Sequence, residues 1–181
     1  MKIVCVISEI DGQRYCVRNR KHLMFAADLL AQVTDHMTQL VAHLQQKWGK
    51  RGYVIRLVEN YDPLSIQETL PTSTYVAYTE NKGDKMAFCT TTTKKGGKLI
   101  DLNTLTYVAV HELAHVACES IGHTDEFWKT FRTFLIEAVK IKIYKPVDYK
   151  AKPVPYCGTT ISENILFDGS IAADDDTEII V

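Results

Sequence analysis

The sequence predicts a single α+β domain, on three observations. Short β-prone runs bracket turn residues near the start and in the middle of the chain, a helical-period pattern spans residues 22–48, and two further helical patterns follow residue 101. At 181 residues and 46% apolar content the chain can bury one ordinary core, with no length for a second full domain.

Lys2 to Ile7 and Arg14 to Arg18 read as strands joined at Asp11-Gly12, a pair suited to positive φ in a tight turn. Ala26, Leu30, Val33, Met37, Leu40, Leu44 and Trp48 recur at steps of three and four, one stripe of a long scaffold helix ending near Gly49. Its His22, His36 and His43 have no carboxylate or cysteine at ligand spacing and read as solvated or capping residues. Tyr53 to Val58 reads as a strand, and Ser73 to Thr79 with Lys85 to Thr91 as a second hairpin turning at Asn81-Lys82-Gly83-Asp84. Lys94 to Lys98 reads as a loop.

Asp101 or Asn103 caps the next helix, which carries Leu105, Val108, Val110, Leu113 and Val116 toward Gly122. Thr124-Asp125-Glu126 opens another, a cap hydroxyl followed by two acids where the helix dipole favours them. Phe127, Trp128, Phe131, Phe134, Leu135 and Ala138 form its core face. Residues 1–145 therefore make up the predicted domain. Residues 146–181 are an extended segment marked by Pro146, Pro153 and Pro155, with an acidic stretch over 172–178.

The net charge of -1 conceals an asymmetry. All 21 Lys and Arg lie at or before Lys152 and six of the 22 acids at or after Glu163, so residues 1–160 carry a surplus of five positive charges. That surplus permits an anionic partner but is sparser than the stripe of a dedicated nucleic-acid module. No apolar run approaches the ~18 residues of a membrane helix, and Ile3 to Ile7 is too short for a signal peptide. Cys5, Cys16, Cys89, Cys118 and Cys157 are an odd, scattered set without a CxxC pair, which predicts free thiols in a reducing, intracellular setting, cytoplasmic or nuclear.

His111-Glu112-Leu113-Ala114-His115 carries the chemistry. It matches HExxH, in which two histidines four apart on a helix reach one metal from the same face while the glutamate acts as general base. With six His and ten Glu in 181 residues, chance would place this pattern in about one chain in a hundred, and the apolar periodicity supplies the helix it needs. Catalytic zinc takes three protein ligands and keeps a position open. His123, at a corner between Gly122 and Thr124, is the first candidate for the third ligand, and Glu137 on the next helix is its rival. Glu119 is too far from His111 along one helix, about 12 Å at 1.5 Å per residue. With zinc in place, Glu112 takes a proton from water and returns it to the leaving amine. Tyr144, Tyr149 and Tyr156 are candidate oxyanion donors by residue type alone.

With Gly122-His123-Thr124-Asp125-Glu126-Phe127-Trp128 following the HExxH run, the chain resembles the WLM and SprT/Spartan-like metalloproteases. Their third zinc histidine stands just before a helix that opens with an aromatic residue. The close match covers about Met86 to Phe134. The resemblance implies a zincin-like domain with a small mixed sheet, His111, His115 and His123 as zinc ligands, and Glu112 as base. It further implies cleavage of DNA-crosslinked proteins. In this sequence Lys94, Lys95 and Lys98 beside the site, with Lys140, Lys142 and Lys145 beyond it, are candidate phosphate contacts, and solvated loops account for both groups equally well. In such folds an extended substrate pairs with the sheet edge above the metal, and Lys85 to Thr91 is the candidate edge. The gap from His115 to His123 departs from the shorter WLM spacing, and the absence of Met after residue 86 excludes a Met-turn.

A further candidate is Cys157, whose Pro-flanked Cys-Gly setting resembles an inhibitory cysteine that occupies the open zinc position. Two alternatives to the DNA-linked reading remain: a general intracellular metallopeptidase, and a non-catalytic protein that keeps zinc for stability.

Overall fold

The chain opens with the expected hairpin. Strand β1 (Ile3–Ile7) pairs antiparallel with β2 (Arg14–Arg18), and the turn between them holds Gly12 at φ +70. The computed structural model describes residues 2–70, 73 and 75–170. The acidic stretch at 172–178 and part of the strand expected from Ser73 lie outside the described residues.

Helix α1 (Leu23–Trp48) buries the whole predicted stripe from Ala26 to Trp48 and packs against β2 and three later helices. Residues Tyr53 to Val58 are helical, which corrects the expected strand. In α2 (Gly52–Asn60), Val54 and Leu57, three apart, are fully buried, whereas Ile55 between them is 41% exposed. Packing of that stripe on α1 and α3 outweighs the strand preference of the β-branched residues.

The central sheet is mixed. Strands β3 (Ile66–Glu68), β4 (Ala77–Glu80) and β5 (Lys85–Phe88) lie in the order β3-β5-β4, with β3 parallel and β4 antiparallel to β5. The strand expected at the edge, Lys85 to Thr91, is thus the middle one. Its Met86-Ala87-Phe88 run is buried on both faces, so both sides of the sheet are covered there. The sheet edges are β3, which lies against β2, and β4, beside helix α3. A buried ion cluster ties the first hairpin to this sheet: Glu68 accepts from Arg18 N at 2.7 Å and pairs with Arg20, while Arg18 Nε donates to Thr69 O at 2.9 Å.

The loop expected at Lys94 to Lys98 is part of a hairpin, β6 (Thr91–Thr93) and β7 (Gly96–Leu99), turning at Lys94-Lys95. Gly97 is required there. Its φ is +81, and a Cβ would come within 2.8 Å of Thr92 Oγ1. Helices α3 (Leu102–Ala117) and α4 (Asp125–Lys140) follow. The segment after Lys145 is extended and adds a hairpin, β8 (Val154–Tyr156) with β9 (Thr159–Ile161), and a short 3-10 turn, Ile165–Phe167.

Four cysteines are paired, against the expectation of free thiols. Cys5 bonds Cys16 across the β1–β2 register, and Cys89 bonds Cys157, bringing the end of β5 to the turn after β8. Cys118 is free and buried. Sequence spacing does not reveal such pairs, because strand register and folding across 68 residues create them. The free-thiol argument for a reducing compartment therefore falls away. Among the described residues the fold is α+β, with four α-helices and several small sheets, and no helix is long and apolar enough to cross a membrane.

Candidate metal centre

Helix α3 starts at Asp101, whose carboxylate accepts from Thr104 N at 2.8 Å. Asn103, the other candidate cap, instead exchanges two 2.8 Å hydrogen bonds with the backbone of Lys145. Leu105, Ala109 and Leu113 bury one face of α3. His111 and His115, one turn apart, project from its half-buried flank.

The last carbonyls of the helix, which ends at Ala117, find other donors: Arg56 Nε donates to Ala117 O at 2.8 Å and Lys82 Nζ to His115 O at 2.9 Å, while Lys82 also reaches Ser120 O in the following loop at 2.8 Å. Glu126 then accepts from the backbone N–H of Ser120 and Glu119, Gly122 turns the chain at φ +85, and His123 emerges just before the Thr124 cap of α4.

This path brings three imidazoles together. Ring centroids lie 4.9 Å apart for His111–His115, 5.0 Å for His111–His123 and 5.1 Å for His115–His123. One nitrogen from each falls within 4.8 Å of the others. Tetrahedral zinc at about 2.1 Å from each nitrogen would draw them to about 3.4 Å, a closure within reach of imidazole side-chain rotation. Phe127, fully buried, packs under all three rings, 4.2 Å from His115, 4.8 Å from His123 and 4.9 Å from His111 by centroid.

Two of the three imidazoles are held toward the neutral form that binds metal. Burial, reinforced by the neighbouring His111, His123 and Lys82, pushes His115 down to about 3, and burial with His111 also lowers His123. Glu112, almost fully buried, has Oε1 3.2 Å from His111 Nδ1, which leaves His111 Nε2 for a metal. Three clustered imidazoles with a carboxylate beside them fit zinc, and three ligands leave a fourth position.

The other candidates are engaged elsewhere. Glu137, the rival ligand, is fully buried against α1, taking hydrogen bonds from His43 Nε2 at 2.9 Å and Lys47 Nζ at 2.8 Å, with Lys140 Nζ at 3.3 Å. His43 thus has a carboxylate partner that its spacing in the sequence did not suggest. His36 pairs with Thr106 Oγ1 at 2.8 Å. Exposed Glu119 pairs with Arg56 at 3.0 Å.

Tyr156 donates to Cys89 O at 2.7 Å and Tyr144 to Tyr149 at 3.1 Å; burial raises all three phenols, and they are occupied in the core. The sulfur of Cys157 is held by Cys89, which removes it as a ligand for an open zinc position. Lys94, Lys95 and Lys98 are exposed on the β6–β7 hairpin.

The residue the sequence reading missed is Tyr107, four before His111 and on the same helix flank. With His111, Trp128 and Phe131 it lines a cleft of about 850 Å³ that opens beside the triad. Its i, i+4 spacing to His111 was the available signal.

No family model and no solved structure matches the chain. Among curated proteins it is 33% identical over 165 residues to "Uncharacterized protein R325" of Acanthamoeba polyphaga mimivirus, covering 89% of this chain and 83% of that protein. Shorter matches of 70 residues link it to two iridovirus proteins. One is "Uncharacterized protein 042R" of Invertebrate iridescent virus 3, at 40% identity over 39% of this chain and 43% of that protein. The other is "Uncharacterized protein 136R" of Invertebrate iridescent virus 6, at 37% identity over 38% of each. The chain belongs to the family of the mimivirus protein.

Proposed function

We propose that this chain is a zinc-dependent peptidase with a zincin-like arrangement of sheet and active-site helix, in which His111, His115 and His123 hold the metal and Glu112 is the general base. The observation that carries this reading is the convergence of three imidazole nitrogens within 4.8 Å, with the Glu112 carboxylate bonded to the first of those rings. When bound, zinc supplies Lewis acidity toward a peptide carbonyl and acidifies water at its open position.

The rest belongs to the chain. Glu112 accepts the proton of the attacking water at its carboxylate and returns it to the nitrogen of the departing amine, which balances the hydrolysis. Strand β4 offers an extended peptide its free edge. Val76 O accepts from Cys89 N on the inner side, so by antiparallel alternation Ala77 and Thr79 turn their backbone groups outward. Phe127 keeps the histidines apart from bulk water on their lower side.

Elemental analysis and a peptide-cleavage assay test this together. The parent and Glu112→Gln are expected to hold one zinc each, with cleavage reduced about 10²–10⁴-fold in the variant, and His123→Ala to lose metal. Full zinc in His123→Ala, or undiminished cleavage by Glu112→Gln, would overturn it.

The resemblance to WLM and SprT-like proteases extends this reading to proteins bound or crosslinked to DNA, and the three exposed lysines of one hairpin, Lys94, Lys95 and Lys98, favour it. Cleavage stimulated by DNA, and less so as salt rises, is its expected sign.

A further inference from the structure

The cleft beside His111 has a mixed lining. Tyr107, one turn before His111, and Trp128 and Phe131 of α4 give it aromatic rings. The segment after β9 and the stretch before β8 add the exposed carboxylates Asp148, Glu163 and Asp168, with Ile161, Ile165 and Phe167 among them. Among the described residues that line it, Lys150 is the one ammonium group. The segment that carries the acids is held in place. Tyr107 donates to Glu163 O at 3.4 Å, Arg132 Nη1 donates to Ile165 O at 2.7 Å, and Asn164 Nδ2 donates to Tyr144 Oη and Val147 O at 2.9 Å each.

We propose that this cleft is a substrate pocket for the side chain of lysine or arginine in a peptide whose scissile bond lies at the histidine triad. The proposal rests on the peptidase reading and names its substrate class. At about 850 Å³ the cleft lies within the ~300–1,000 Å³ of ordinary ligand pockets, enough for a long side chain with its flanking backbone. Aromatic faces accept both the methylene stem and the cation of such a side chain, and the carboxylates of the lining complete its charge. An aspartate, a glutamate or a phosphate meets three like charges in the same cleft. A purely aliphatic side chain covers the carboxylates without answering them. Lys150, and Arg132 beside Asp168, temper the preference rather than reversing it, being two charges against three.

The test is binding of short, dye-labelled alanine-based peptides with one variable residue to zinc-loaded Glu112→Gln, followed by fluorescence anisotropy, with cleavage by the parent measured in parallel. The Arg and Lys peptides are expected to bind at least about tenfold tighter than the Leu and Glu peptides. The double variant Glu163→Gln/Asp168→Asn should narrow that gap, and Lys150→Gln should widen it. Both act on exposed side chains, so folding is retained and is checked by circular dichroism. Equal binding of Leu and Arg peptides, or a preference indifferent to the double variant, would overturn the proposal. Selective binding of Arg peptides that the parent never cleaves would leave the pocket standing and bring down the peptidase reading. Cleavage without any preference for Arg or Lys would do the reverse.

Discussion

Glu137 has no exposed surface, yet it keeps its charge because Lys47, Lys140 and His43 gather around it. Burial by itself pushes this carboxyl up, but the hydrogen bonds from Lys47 and His43 and the charges of Lys47 and Lys140 outweigh it and leave it below its ordinary 4.5. As pH falls below about 4.5 the unfolded chain therefore takes up the proton first. The stabilisation is present above that pH and is lost as pH falls through the lower folded value. Glu137→Gln is expected to flatten this acid limb and to cost roughly 2 kcal/mol at neutral pH, less than a fully enclosed pair because His43 and Lys47 keep access to water. Urea unfolding of both proteins at neutral pH and near pH 3 measures it. At this scale His111, Glu112 and His115 were legible, since a four-residue spacing on a helix fixes which side chains are neighbours. Glu137 was not, because His43 and Lys47, which hydrogen-bond it, lie about ninety residues away, and no local rule tells a buried ion cluster from a third metal ligand.

Elements carry the site through their ends. The last turn of α3, the loop 118–124 and the β4–β5 turn meet at Lys82, whose ammonium holds the carbonyls of His115 and Ser120 and so sets how His123 approaches the other two rings. Lys82→Met keeps the side chain's length and removes both bonds. Zinc affinity in a chelator competition is expected to fall about tenfold or more, with far-ultraviolet circular dichroism of the metal-free protein unchanged and partial recovery in Lys82→Arg. Unaltered affinity would mean that the loop holds its shape without this lysine. Helices α1, α3 and α4 were readable because each repeats its apolar residues over three turns or more. Helix α2, nine residues long and rich in β-branched side chains, was not, since two buried positions three apart do not outvote local preference until neighbours are known. The place of β5 in the sheet was likewise hidden. An apolar run says that a strand is buried, while its order depends on which strands arrive beside it.

Across the whole molecule, two disulfides close very different lengths of chain. The Cys89–Cys157 link spans 68 residues and joins the sheet to the segment that walls the cleft, whereas Cys5–Cys16 spans 11 within one hairpin. On chain-entropy grounds the first is worth about 4 kcal/mol and the second about 3. Cys89→Ser/Cys157→Ser should therefore lower the melting temperature more than Cys5→Ser/Cys16→Ser. Thiol titration of the denatured, unreduced protein should find Cys118 alone, and five reactive thiols would refute both links. By itself the sequence determined the α+β class, the scaffold helix, the cap of α4, and the HExxH pair with His123 at a corner, because each is a matter of spacing within a few turns of chain. Only the tertiary structure decided that His123 rather than Glu137 lies with the pair, that β5 is the middle strand, that four cysteines meet, and that residues after 145 line a cleft. Those depend on segments distant in the chain arriving side by side, where burial and charge are set by neighbours that local periodicity does not name.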